Sequence, residues 1–182
     1  MGRFLLRLLA GVVVVLAVLL GVLLFNTLRY TPEEPSSPGE TYDLKANIEQ
    51  ATQDLSEAVK FRTVSTDLKH PDFAAFLTFL EETYPLVHNT MSREVLARQT
   101  PLYKWQGSDE NLAPILLAGH YDVVPIAPGS HDLWEHEPFA GVIDEEFVWG
   151  RGTLDDKGAV IAMLTAAEKM IADGFTPKRT VY

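Results

Sequence analysis

The sequence predicts an α/β domain carried behind a single membrane-length helix, and three observations predict it. The first thirty residues are almost wholly apolar. Beyond residue 42, stretches with helical periodicity alternate with short runs of strand character, an order that packs helices on a mixed sheet. One of those runs, Ile115 to Ala118, is apolar throughout and bounded by Pro114 and Gly119, as a strand buried on both faces would be.

The N-terminal segment comes first. From Leu8 to Leu28 the chain is apolar apart from Asn26 and Thr27 and carries no charge, and about 20 such residues cross a bilayer as a helix. A cleavable signal peptide has a shorter apolar part, roughly 7 to 15 residues, ending in small residues. Here the run ends Phe25-Asn26-Thr27-Leu28-Arg29-Tyr30, with no small-x-small site, so residues 1–30 are expected to form an uncleaved signal anchor. Arg3, Arg7 and the terminal amine precede the run, while Arg29 is followed by Glu33 and Glu34. That asymmetry places the N-terminus in the cytoplasm and everything after Tyr30 in a periplasm, lumen or extracellular space. Gly2 does not open a myristoylation signal, because position 6 is Leu. Residues 31–41, rich in Pro, Ser and Glu and devoid of apolar side chains, are expected to be a solvated tether, with the folded domain at 42–182.

Within that domain, Asn47 to Val59 places Ile48, Ala51, Leu55 and Val59 at helical spacing, and Phe61-Arg62-Thr63-Val64-Ser65 follows as a loop. Pro71 to Tyr84 predicts a second amphipathic helix with Phe73, Phe76, Leu77, Leu80 and Tyr84 on one side. Strands are expected at Glu94 to Arg98, Leu102 to Gln106 and Ile115 to Ala118, and a short hairpin from Val142-Ile143 to Phe147-Val148-Trp149. Lys157 to Ala172 predicts a helix burying Val160, Met163, Leu164, Ala167 and Ile171. Gly174 is placed to cap it, and Thr180-Val181-Tyr182 begins a further strand.

Composition excludes some functions. All 25 acidic residues lie beyond residue 30, so the domain is more acidic than the chain's formal charge of −10. Nucleic-acid binding needs a concentrated basic patch, and none appears. Without cysteine, disulfides and thiolate ligands are absent, leaving His, Asp and Glu as metal ligands.

Two segments carry chemistry. In Gly119-His120-Tyr121-Asp122-Val123-Val124-Pro125 a buried strand runs into His-x-Asp at its carboxyl end, where open α/β sheets place ligands. Residues two apart on an extended chain point the same way, so His120 and Asp122 can share one side of a cleft. A carboxylate on the second ring nitrogen of a metal-bound histidine fixes its tautomer, a role open to Asp122. Taken alone, His-x-Asp also fits a loop histidine beside an unrelated acid. The second segment is Gly150-Arg151-Gly152-Thr153-Leu154-Asp155-Asp156-Lys157-Gly158. Its glycine spacing matches neither phosphate-binding motif, and two aspartates would repel a phosphate. Helix capping would need one aspartate, and a second adds repulsion unless Lys157 or a metal offsets it. His120 with one of these aspartates makes a partial zinc site. His70, His88, His131 and His136 are expected on the surface or in packing, and Trp105, Trp134 and Trp149 in the core or a cleft wall.

Together the two segments, with Trp134 and Pro138-Phe139 between them, make the chain resemble the M20 family of zinc metallopeptidases, especially its carboxypeptidase S and N-acyl amino acid amidohydrolase branch. The resemblance runs along roughly residues 100 to 182, with weaker similarity back to Val59-Phe61-Thr63-Val64-Ser65. It implies that His120 binds one of two zinc ions, that Asp122 orients His120 as the catalytic support, and that Asp155 bridges both ions and is followed by a cis peptide. Asp156 is then a neighbour of the site. It also implies a Glu-Glu pair after the strand starting at Thr180, then another acidic ligand, a final histidine ligand and a lid or dimerisation domain, none of them within residues 1–182. On that expectation the chain is the N-terminal portion of a zinc-peptidase catalytic domain, inactive by itself, from a protein that could form a homodimer. The implied substrates are small peptides or N-acyl amino acids cleaved at an amide beside a free carboxylate. The alternative is a membrane-tethered, non-catalytic module that uses the acidic cleft to bind a cation or partner.

Overall fold

The computed structural model describes residues 2–30, 47–97, 99–144 and 146–182. The chain divides into two compact units, Met1–Asp43 and Leu44–Tyr182. In the first, helix α1 (Gly2–Arg29) runs unbroken for 28 residues with no side chain buried. It is long and apolar enough to cross a membrane, a description a signal sequence also meets. Thr27 folds its hydroxyl back onto the Leu23 carbonyl at 2.8 Å, so its polar group is satisfied within the helix. The tether expected at residues 31–41 lies outside the described residues.

The second unit is built on four helices. Asn47 caps α2 (Ile48–Lys60), its side-chain oxygen accepting from the Gln50 amide at 3.1 Å. The helix expected from Pro71 to Tyr84 is α3 (Asp72–Thr83). Proline at position 85 then starts a short extra helix, α4 (Pro85–Thr90), which the periodicity did not reveal. The Glu168 carboxylate accepts the Leu86 and Val87 amides at 2.9 and 2.8 Å, tying α4 to α5 (Gly158–Ala172). Ala58, Phe76, Leu80, Tyr84, Val87, Ile161 and Leu164 form the core between these helices. Of the α5 residues expected inside, Leu164 is buried, whereas Val160, Met163, Ala167 and Ile171 are half-buried and Ile161 takes the deepest place. Gly174, at φ 78°, returns its amide to the Ile171 carbonyl as the cap requires.

Strands differ more from expectation. β1 (Ser92–Leu96) and β2 (Thr100–Lys104) pair antiparallel, each beginning two residues earlier than predicted. The cause is the turn: Ala97 adopts a positive φ of 47° and the Gln99 amide returns to the Leu96 carbonyl, which sets Pro101 opposite Val95. β3 (Val142–Ile143) and β4 (Val148–Trp149) form the expected small hairpin, its turn held by Asp144 accepting the Glu146 and Phe147 amides.

The expectation that Ile115 to Ala118 is buried on both faces is not met. Ile115, Leu116 and Leu117 are 40%, 68% and 55% exposed. The run pairs on one edge: Ile115 lies parallel to Val181, which on its other side pairs antiparallel with Trp105. A mixed arrangement therefore exists, centred on Val181, but among the described residues the faces of the Ile115 run stay largely uncovered. An apolar run becomes buried only when other elements are laid over it.

Candidate metal centre

Beyond Leu117, whose amide donates to the Tyr182 carbonyl, the chain leaves the edge of Val181 and turns into His120. Glycine at 119 permits a close approach, because a Cβ there would sit 3.0 Å from Met163 and 3.1 Å from Val160, side chains of α5 that would have to give way. That close approach brings His120 to the segment preceding α5. The ring is held from both ends. Nδ1 lies 3.0 Å from the Asp122 backbone carbonyl and 3.3 Å from its carboxylate, and Nε2 lies 3.0 Å from Asp155 Oδ1. The structure thus brings together His120, Asp122 and Asp155, the three residues singled out from the sequence.

The Gly150-to-Gly158 segment reaches this position through two left-handed glycines. Gly150 has φ 153° and Gly152 φ 90°. A Cβ on Gly152 would lie 2.5 Å from Val123 and one on Gly150 2.3 Å from Val59, so both glycines also permit tight contact with neighbouring segments. Thr153–Lys157 then forms one wide helical turn in which Asp155 and Asp156 leave helical angles. The Asp155–Asp156 peptide is cis, as the resemblance implies. Neither aspartate caps α5. Asp156 instead accepts the His120 amide at 3.4 Å, and the Asp155 side chain is 88% exposed.

Lys157 does not offset the paired carboxylates. It is fully buried, with its Nζ donating to the Ala58 and Phe61 carbonyls at 2.8 and 2.7 Å and lying 5.3 Å from the Phe76 ring centre. Burial pushes its ammonium down to about 7, with Asp72 acting in the opposite sense. Its sequence context, acids on one side and glycine on the other, gave no signal of this.

Partial burial acts to lower the His120 pKa, but the Asp122 carbonyl, the Asp155 carboxylate and the charges of both outweigh it and hold the ring above its ordinary value. The donor set suits a cation. When Nδ1–H donates to Asp122, Nε2 presents a lone pair, and it faces a carboxylate oxygen that also only accepts. Two acceptors at 3.0 Å need a proton or a metal between them. His nitrogen and Asp oxygen are both zinc ligand types. Among the described residues, no group of three or more His, Asp or Glu side chains is placed to hold a metal ion, so His120 and Asp155 make up a partial site.

Residues 116–182 match the peptidase family M20/M25/M40. The chain belongs to this family of metallopeptidases. It is 40% identical over 185 residues to the probable carboxypeptidase S-like 2 of Dictyostelium discoideum, covering 93% of this chain and 35% of that one. It is 36% identical over 186 residues to an N-fatty-acyl-amino acid synthase/hydrolase of Xenopus tropicalis, covering 96% and 35%. The chain therefore spans about a third of the length of these relatives. In fold it is similar to the dipeptidase Dug1p of Saccharomyces cerevisiae, with a TM-score of 0.56 at 24% identity over 74% of this chain and 31% of that one.

The remaining histidines of this M20 chain serve packing or the surface. His88 bridges the Tyr84 carbonyl and the Tyr103 hydroxyl, His70 lies by Asp72, His131 by Glu137, and His136 packs edge-on to Trp149. Trp105 is buried, and Trp134 stacks under the Arg151 guanidinium. Thr63, expected in a loop and within the stretch of weaker family similarity but given no role there, is buried and donates to the Tyr121 carbonyl at 2.6 Å.

Proposed function

We propose that the whole protein is a zinc-dependent hydrolase that cleaves an amide or peptide bond beside a free carboxylate, with His120 and Asp155 as metal ligands and Asp122 orienting His120. The observation that carries this reading is the approach of His120 Nε2 and Asp155 Oδ1 to 3.0 Å while Asp122 engages Nδ1. A carboxypeptidase and an N-acyl-amino acid hydrolase share one substrate feature, a carboxylate next to the scissile amide.

Two zinc ions, when bound, supply polarisation of the scissile carbonyl and a water made acidic enough to attack at neutral pH. The protein's part is to hold ligands. Asp122 keeps the proton on Nδ1 so that Nε2 stays a lone-pair donor. Asp155, exposed and free of a cap role, presents two oxygens on one carboxylate, which suits it to bridge. In the same reading residues 1–30 anchor the protein with its N-terminus in the cytoplasm, residues 31–41 tether it, and residues 42–182 begin a catalytic domain outside the cytoplasm.

The test uses the full-length protein with an N-acyl amino acid and with a peptide bearing a free C-terminus. Chelation should abolish hydrolysis and zinc restore it. His120→Ala and Asp155→Ala should each lower kcat/KM by more than about 100-fold, beyond the cost of losing an orienting residue. Undiminished hydrolysis in either variant would sink the assignment. Metal binding with no hydrolysis of either substrate would favour a non-catalytic, cation-binding module.

A further inference from the structure

Residues 61–65, between α2 and α3, contain no candidate ligand, yet they are hydrogen-bonded to both ligand-bearing segments. We propose that this stretch is the platform that sets His120 against Asp155, with Thr63 the positioning residue on the histidine side and Lys157 on the aspartate side. The proposal rests on the reading of His120 and Asp155 as ligands.

Thr63 is 0% exposed. Its hydroxyl donates to the Tyr121 carbonyl at 2.6 Å and its own carbonyl accepts the Val123 amide at 2.8 Å. The two peptide units on either side of Asp122 are therefore both bonded to one residue. The second of these units matters most. Its amide, on Val123, donates to Thr63, while its carbonyl, on Asp122, lies 3.0 Å from His120 Nδ1. A fixed peptide plane thus runs from Thr63 to the imidazole, and hydrogen bonds linked through one amide polarise each other. Ser65 adds a further tie, its amide donating to the Val123 carbonyl at 2.9 Å, in the parallel pairing of Val64 with Val123.

On the other side, the Lys157 amide closes the turn that carries Asp155 by donating to the Gly152 carbonyl at 2.9 Å. Its Nζ reaches the Phe61 carbonyl, two residues before Thr63, at 2.7 Å, and the Ala58 carbonyl in the last turn of α2. The orphan carbonyls at the end of a helix attract such a donor. Each ligand is consequently two residues or fewer from a residue bonded to residues 61–65, and the His120 amide donating to Asp156 at 3.4 Å adds a longer tie between the two ligand-bearing segments.

The test is Co2+ binding to the metal-free full-length protein, read as affinity and as the visible d–d spectrum, with thermal melting of the metal-free form as a fold control. Thr63→Val keeps the shape and removes the donor. It should weaken Co2+ binding by about 10-fold or more and alter the spectrum, the range seen when a residue behind a metal ligand is lost. Thr63→Ser, which keeps the hydroxyl, should restore both, and Lys157→Met should weaken binding in the same direction. If Thr63→Val does not fold, Thr63→Cys, a weaker donor of similar size, should show a smaller loss of the same kind. Wild-type affinity and spectrum in the folded Val or Cys variant overturns the proposal, whatever the melting temperature does, as does failure of Thr63→Ser to restore them. His120→Ala separates the two levels: unchanged Co2+ binding there removes the ligand reading itself, whereas lost binding with a silent Thr63 removes only the platform.

Discussion

His120 is poised by its partners more than by burial. Its side chain is half exposed, yet each ring nitrogen has an oxygen within about 3 Å. The bond to the Asp122 backbone, at 3.0 Å, is shorter than the 3.3 Å approach of the Asp122 carboxylate. Removing the carboxylate therefore leaves part of the orientation in place. Asp122→Ala should weaken zinc binding by about 10-fold, the low end of the range for residues behind a ligand, when measured by competition with a chelating dye. A loss as large as that of His120→Ala would mean that Asp122 is itself a ligand. At this scale the sequence was informative where side-chain chemistry and spacing coincide, as in His120-Tyr121-Asp122. It was silent for Lys157, whose destination is two backbone carbonyls on a helix remote in sequence.

The helices follow from periodicity and caps, and their contributions differ in size. Asn47 supplies one exposed N-cap bond, so Asn47→Ala should cost about 1 kcal/mol. Phe76 is fully buried and stacks on Tyr121 with ring centres 4.6 Å apart and planes 8° from parallel. Phe76→Ala should cost about 3 to 5 kcal/mol, and it removes packing directly beside His120. Urea denaturation of both variants checks the ranking, and equal losses would contradict it. Strand positions were less legible because a register is fixed by turn geometry. The left-handed Ala97 moved β1 and β2 by two residues, and no hydrophobic pattern encodes that choice. Pro85 marks α4 in hindsight, since proline suits the first turn of a helix.

For the folded unit as a whole, buried ionisable groups make stability depend on pH in two opposed ways. Lys157 has a folded value of about 7 against an ordinary 10.5. Between those limits the unfolded chain binds a proton that the folded chain does not, so stability rises with pH. The tyrosines act in reverse. Burial pushes Tyr121 up to about 12, with the Asp122 and Tyr103 sides adding to it, and burial likewise raises Tyr84 and Tyr103. Above an ordinary value of 10.0 the unfolded chain loses protons that the folded chain keeps, so stability present below pH 10 is lost as pH climbs through the folded values. Denaturation of the metal-free protein across this range should show stability rising from pH 7, peaking near pH 10 and then falling. Lys157→Met should flatten the rise and leave the fall. A flat profile in the unmodified protein would contradict both assignments. The α/β class and the separate apolar helix were legible from composition and order, and helical spacing marked Val59, Phe76, Leu80, Tyr84 and Leu164, which are buried. Ile115 to Ala118 was expected to be buried on both faces, but the core lies between α2, α3, α4 and α5.

Under the proposed function, His120 and Asp155 would hold the metal, Asp155 serving both ions and His120 one. Titrating zinc into the metal-free full-length protein, with stoichiometry read by calorimetry, tests it most directly. The unmodified protein should bind two ions tightly, His120→Ala should keep one, and Asp155→Ala should lose tight binding at both. Two tight sites surviving in Asp155→Ala would contradict the account.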